Sequence, residues 1–172
     1  TENTIIYQNT EVHKNMPNAY FTIQRPDNDA FKGYLPGSPE RAALKAELAK
    51  QSAEVVKIPL IIGGKEVWTE DTIQVTMPHD HKHIIAECCM AGEKELNMAI
   101  DAALEAKDAW EAMPWEHRSA IFLKAADMIT GSYRQVLNAS TMLGQSKTVF
   151  QAEIDIAELA DLLRFGVWGA QE

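Results

Sequence analysis

Cysteine is nearly absent from this sequence. Two of 172 residues are Cys, and they are adjacent, Cys88 and Cys89. Neighbours in a strand point to opposite faces, so a bond between them would be strained. With no other thiol there is no disulfide framework, which suits a reducing compartment. Neither Cys follows a helix start or has a designated His, so both are read as small buried hydrophobes rather than nucleophiles. Positive charge is also scarce, with 16 Lys and Arg against 25 Asp and Glu and a formal net charge of −9. That disfavours nucleic acid and anionic membrane as partners, since both need a basic face. No apolar run approaches the roughly 18 residues of a spanning helix. The opening TENTIIYQNTEVHKNMPN has neither the apolar core of a signal peptide nor the Arg-rich bias of a transit peptide. Internal repeats and low-complexity segments are missing too.

What is present is globular in composition, 46% hydrophobic and 24% charged, and long enough for one domain with a real core. Residues 1–37 scatter Pro, Asn, Asp and Gly with little periodicity and read as an extended N-terminal arm lying on a surface supplied from elsewhere. Ser38-Pro39-Glu40 then signals a helix start, with a capping Ser, Pro at the first helical position and an acid at the positive end of the dipole. Residues 57–90 are rich in strand formers, with Gly63-Gly64 as a hairpin turn. From Glu93 onward helical periodicity dominates. Leu96, Ala99, Ile100, Ala103, Leu104 and Trp110 share one stripe, and Ile121, Phe122, Ala125, Met128 and Ile129 another. Helices are expected near 39–52, 93–112, 115–130, 133–143 and 147–165. The fold class is therefore α+β and mainly helical, one or two β-hairpins followed by a helical bundle, with residues 38–172 as its body.

Two motifs invite chemistry. HDHKH offers His79, Asp80, His81 and His83 as metal ligands. Sharing a face would require the segment to stay extended, Pro78 argues against that, and His13 and His117 are isolated, so a solvated turn is the preferred reading. GQSKT, residues 144–148, looks like the tail of a phosphate loop. It lacks the leading Gly, carries Ser146 where the second Gly belongs and follows a helix rather than a strand. Gly144 instead reads as a helix-ending glycine, and Thr148 with Gln151 as a capping box opening the next helix.

That last helix is apolar on two sides. Ala152, Ile156, Leu159 and Leu163 form one stripe; Phe150, Ile154, Leu162 and Phe165 form a second. Such a helix belongs between layers. Glu158 falls within the second stripe, between Ile154 and Leu162, whereas Glu153 and Asp155 flank the stripes where water can reach them. Burying a carboxylate among apolar residues is costly without a partner. Arg164 lies too far round the helix and Lys147 too far along it. Three readings stay open for Glu158: a salt bridge to another helix or a simply exposed position, a site for a cation such as the ammonium of an amino-acid-like ligand, and contact with a segment outside this sequence.

GQSKTVFQAEID followed by AELADLLRF resembles a helix of the 1-pyrroline-5-carboxylate dehydrogenases, members of the aldehyde dehydrogenase superfamily. PGSPERAALKAEL resembles an early helix of the same enzymes. KIPLIIGGKEV, MPHDHKHIIAECCMA and AIDAALEAKDAWEAMPWEHRSAIFLKAADMI follow in the family's order. The likeness spans residues from about 30 to 172. It implies an enzyme that oxidises glutamate γ-semialdehyde to glutamate with NAD, in proline catabolism, through a Cys nucleophile, a Glu base and an Asn-assisted oxyanion site. All three would lie beyond residue 172, so this chain is expected to be an N-terminal piece, inactive alone and without a cofactor of its own. The resemblance assigns Glu158 to the substrate-facing carboxylate that meets the α-amino group. It further implies a homo-oligomer when complete, in the cytoplasm of a bacterium or the mitochondrial matrix of a eukaryote. The rival readings are a stand-alone helical interaction module and an aldehyde dehydrogenase with another substrate.

Overall fold

A computed structural model describes residues 21–171. Residues 21–37 run without regular secondary structure. Helix α1 follows at Pro39–Ala53, then strands β1 at Val56–Ile58, β2 at Leu60–Ile62, β3 at Lys65–Val67, β4 at Thr72–Met77 and β5 at Asp80–Cys89. Four helices complete the chain: α2 at Glu93–Ala112, α3 at Trp115–Thr130, α4 at Arg134–Gln145 and α5 at Val149–Gly169. The boundaries follow local chemistry. Ser38 caps α1 by accepting from the Arg41 N–H. The Thr148 side chain accepts from the Gln151 N–H while Gln151 accepts from the Thr148 N–H, closing the expected capping box of α5.

The strands depart from a pair of plain hairpins. β2 and β3 form one, turning through Gly63 and Gly64, both at positive φ (57° and 74°), as a tight hairpin turn requires. β4 and β5 form the other, but β5 also pairs in parallel with β1, giving the sheet order β1-β5-β4. The connection runs through the intervening strands, not a crossover helix. Pro78 and His79 alone form the turn, so most of HDHKH is strand and not loop. Pro78 has no N–H to donate and sits where β4 has ended. His83 Nε2 lies 2.7 Å from the Ser52 carbonyl and His79 Nδ1 2.6 Å from the Ser146 hydroxyl, so these two rings serve different parts of the fold.

Helix α4 runs past Gly144 to Gln145 and ends on Ser146, the left-handed residue at φ 55°. Gly144 thus lies inside the helix rather than after it. Helices α3, α4 and α5 pack together, and α1 lies on α4. Tyr34, Leu44 and Ala139 form a small buried cluster where the arm, α1 and α4 meet. The expected stripes of α2 and α3 are not core. No residue of α2 is buried, with Leu96 59% and Leu104 64% exposed. Ile121, Phe122 and Met128 of α3 are exposed as well. Helix α3 buries Ser119 and Ala126 instead, and Trp110 and Phe122 meet edge to face, so periodicity marked apolar residues without showing which face a neighbouring helix covers.

Candidate functional site

Helix α5 carries the candidate site residue Glu158, and its two faces differ. The inner face is built from small residues, Ala152, Ala157 and Ala160, with Ile156 and Val167, all buried. Small side chains let neighbouring backbone come close. Into that face project Glu153, 1% exposed, and Asp161, 9% exposed.

Glu153 is the centre of a polar network that the sequence reading missed by placing it at a solvated edge. Its Oε1 accepts from the Lys32 N–H at 2.7 Å and from Arg134 Nε at 3.0 Å. Its Oε2 accepts from the Tyr34 hydroxyl at 2.8 Å and from Asn138 Nδ2 at 2.8 Å. Burial disfavours the charge, but the Arg134 guanidinium, the Lys32 N–H, Asn138 and Tyr34 outweigh it and hold the Glu153 carboxyl below the usual carboxylate range. Burial, and then the neighbouring Glu153, pushes the Tyr34 hydroxyl up to about 12. Arg134 also binds Asp29 at 2.7 Å and the Ala30 carbonyl at 2.9 Å. Asp161 accepts from the Asp29 N–H and from Asn28 Nδ2, both at 2.9 Å. The arm is thereby tied along α4 and α5 of its own chain. Single-helix periodicity gives no signal for this, because the partners come from more than 100 residues away.

The outer face carries Phe150, Leu159 and Leu162, exposed by 63%, 43% and 72%. Leu162 and Phe150 therefore do not face a second layer among the described residues. Glu158 lies on this face and is exposed, with Ile154 and Leu162 one turn to either side. Arg164 turns to Asp29, Asp127 and Thr130, and Lys147 to Asp155. Neither cation serves Glu158, as its position on the helix foretells. Of the residues singled out in sequence, Glu158 alone presents a charged group on an open apolar wall.

The phosphate-loop segment does not form a cradle. Gly144 is helical, Ser146 faces His79, and the first turn of α5 is closed by its capping box. Among the described residues no strand leads through a glycine-rich turn into a helix, so the residues present do not fit a dinucleotide. No group of three metal-ligating side chains converges among them either, and no helix of the described residues is long and apolar enough to cross a membrane. Cys88 and Cys89 stand on β5 as free thiols, Cys89 buried beside Thr69.

Known proteins share this architecture. A profile described as "Aldehyde dehydrogenase family" matches residues 67–171. A delta-1-pyrroline-5-carboxylate dehydrogenase of Agaricus bisporus is 47% identical over 156 residues, which are 90% of this chain and 29% of that protein. The mitochondrial human enzyme of the same name is 44% identical over 146 residues, 84% of this chain and 26% of the relative. A crystal structure of the Mycobacterium tuberculosis enzyme bound with NAD superposes with a TM-score of 0.88 at 38% identity, covering 90% of this chain and 29% of that one. This chain thus spans under a third of the length of the curated relatives it matches. The five helices, the hairpins and their order agree with that likeness, and the chain belongs to the aldehyde dehydrogenase family.

Proposed function

We propose that this chain is the N-terminal portion of an NAD-dependent 1-pyrroline-5-carboxylate dehydrogenase, and that Glu158 meets the α-amino group of glutamate γ-semialdehyde. The relatives at 44–47% identity carry that enzyme's name, and the related structure holds NAD. NAD would be held by parts of the enzyme outside this chain, since no fitting cradle is found among the described residues. The observation that carries the reading of Glu158 is its place: a carboxylate without a hydrogen-bond or ion-pair partner among the described residues, on the exposed wall of α5, flanked by Ile154 and Leu162. An apolar wall with one carboxylate suits an aliphatic aldehyde bearing an ammonium group. Eukaryotic relatives named mitochondrial support a matrix location if the source is a eukaryote. The partner of the complete enzyme is a small aldehyde, and the complete enzyme is a homo-oligomer.

The test is made on the full-length enzyme. An ammonium–carboxylate contact shielded from water is worth on the order of 1.5–3 kcal/mol. Glu158→Gln should therefore lower kcat/KM for the semialdehyde by roughly 10- to 150-fold. An aldehyde of the same length without the amino group should be turned over almost as before. Equal losses for both substrates would reduce Glu158 to a support for the helix. Asp155→Asn is the control. Glu153→Gln cannot serve as one, because its carboxylate is buried.

A further inference from the structure

A groove between the start of α3 and the C-terminal half of α5 holds a cation that lacks a full set of partners among the described residues. The groove measures about 490 Å³, and Trp110, Trp115, Arg118, Phe122, Leu162 and Gly166 are among its walls. The Arg118 guanidinium stands 5.9 Å from the Trp110 ring centroid. That contact uses the face of the cation but none of its N–H groups. Arg118 Nε is buried and has no hydrogen-bond acceptor among the described residues. A buried donor on a charged group costs free energy when left unmade, and the forked guanidinium is best matched by a carboxylate. The rim is apolar, with Trp110 and Phe122 each 41% exposed and Leu162 72% exposed. An occupant should therefore bring both apolar side chains and an acid.

Resting on the reading of this chain as part of a longer dehydrogenase, we propose that the groove receives a segment of the polypeptide beyond residue 172, which seats apolar side chains between α3 and α5 and places an Asp or Glu carboxylate on Arg118. Two observations select this occupant. The matched relatives are more than three times as long as the stretch they share with this chain. The groove also runs along the last turns of α5 to Ala170, so following chain emerges beside it. A carboxylate docked there would complete the Arg118 donor set, and its neighbours would cover the exposed rim.

The experiment compares the 172-residue chain with the full-length gene product, each as wild type and as Arg118→Met. Removing one partner of a buried pair strands the other charge, whereas removing an unpaired cation does not. Arg118→Met should lower the Tm of the full-length protein by several degrees and leave that of the 172-residue chain unchanged or higher. In 5-fluorotryptophan-labelled protein, the Trp110 and Trp115 signals, assigned by Trp→Phe variants, should lose their solvent isotope shift only in the full-length product. Both tryptophans equally solvated in the two proteins, or an equal Tm change in both, would overturn the proposal. So would protection of these tryptophans in the short chain at high concentration, which would make a second copy the occupant, or a reading frame that closes after Glu172. A full-length product with a covered groove and no turnover of pyrroline-5-carboxylate with NAD would end the dehydrogenase reading alone. An active enzyme with both tryptophans solvated would end the groove proposal alone.

Discussion

Glu153 and Glu158 stand five residues apart on α5, roughly 140° round the helix, and meet opposite surroundings. Glu153 is 1% exposed and accepts from Arg134, Tyr34, Asn138 and the Lys32 N–H. Glu158 is exposed between Ile154 and Leu162. One carboxylate therefore holds the structure together and the other is left available. In the isolated chain Glu153→Gln should cost roughly 3–5 kcal/mol, because an amide cannot accept every donor and Arg134 loses its buried counter-ion. Glu158→Gln should stay within about 0.5 kcal/mol. Urea unfolding measures both, and comparable losses would contradict this division of labour.

The same network sets two limbs of the stability–pH curve. Glu153 has a folded pKa below its unfolded one. Its contribution is complete above the unfolded value, about 4.3, and is lost as pH falls through the lower folded value. Tyr34 has the opposite sense. Its folded pKa, about 12, exceeds the ordinary tyrosine value of 10.0, so its contribution is complete below pH 10 and declines as pH rises towards 12. Two units correspond to roughly 2–3 kcal/mol. Tyr34→Phe should flatten the alkaline limb and Glu153→Gln the acid limb. Unchanged limbs in the variants would assign the pH dependence to other groups.

Local chemistry was legible in the sequence wherever its cause was local. Ser38-Pro39, Gly63-Gly64, Pro78 and the Thr148–Gln151 pair mark element boundaries through contacts within a few residues, and the helices begin and end close to where they were expected. The apolar neighbours of Glu158 were legible for the same reason, since i±4 spacing defines them, but its exposure was not. Glu153 was not. Its partners Tyr34, Lys32 and Arg134 arrive from distant segments, so its helical position alone suggested water. The parallel pairing of β1 with β5 and the bare stripe of α2 also depend on long-range placement. Periodicity marks a face as apolar, but coverage by another layer is a property of the whole assembly.

The Gly63-Gly64 turn gives a test free of side-chain packing. Gly64 has φ +74°, and a Cβ added there would meet open space. Any cost of Gly64→Ala is therefore conformational. It should be about 1–2 kcal/mol of local strain, read as faster amide exchange in β2 and β3. Gly64→Asn should recover much of it, because Asn tolerates the left-handed region. Equal exchange in the Ala and Asn variants would argue against strain as the cause.

The arm is held at several points, and the farthest is a single side chain. Gln171 Oε1 accepts from the Ile23 N–H at 2.8 Å, and its Nε2 donates to the Ile23 carbonyl at 2.7 Å. One glutamine thus satisfies both backbone groups of a residue that has no strand partner. Asp161 holds Asn28 and Asp29 farther along α5. Gln171→Ala should release Ile23 at a cost of about 1–2 kcal/mol, raising its amide exchange by roughly 5- to 30-fold. Gln171→Glu should do nearly the same, since the retained acceptor comes with an oxygen facing the Ile23 carbonyl. The Asp29 amide should exchange as before in both variants, because its acceptor is untouched. Asp161→Ala should reverse the pattern, accelerating Asp29 more than Ile23. If Ile23 and Asp29 accelerate together in Gln171→Ala, the arm detaches as one unit and the anchors are not independent. Exchange measured residue by residue by NMR distinguishes the two behaviours, because both amides belong to the same irregular segment and donate to different acceptors.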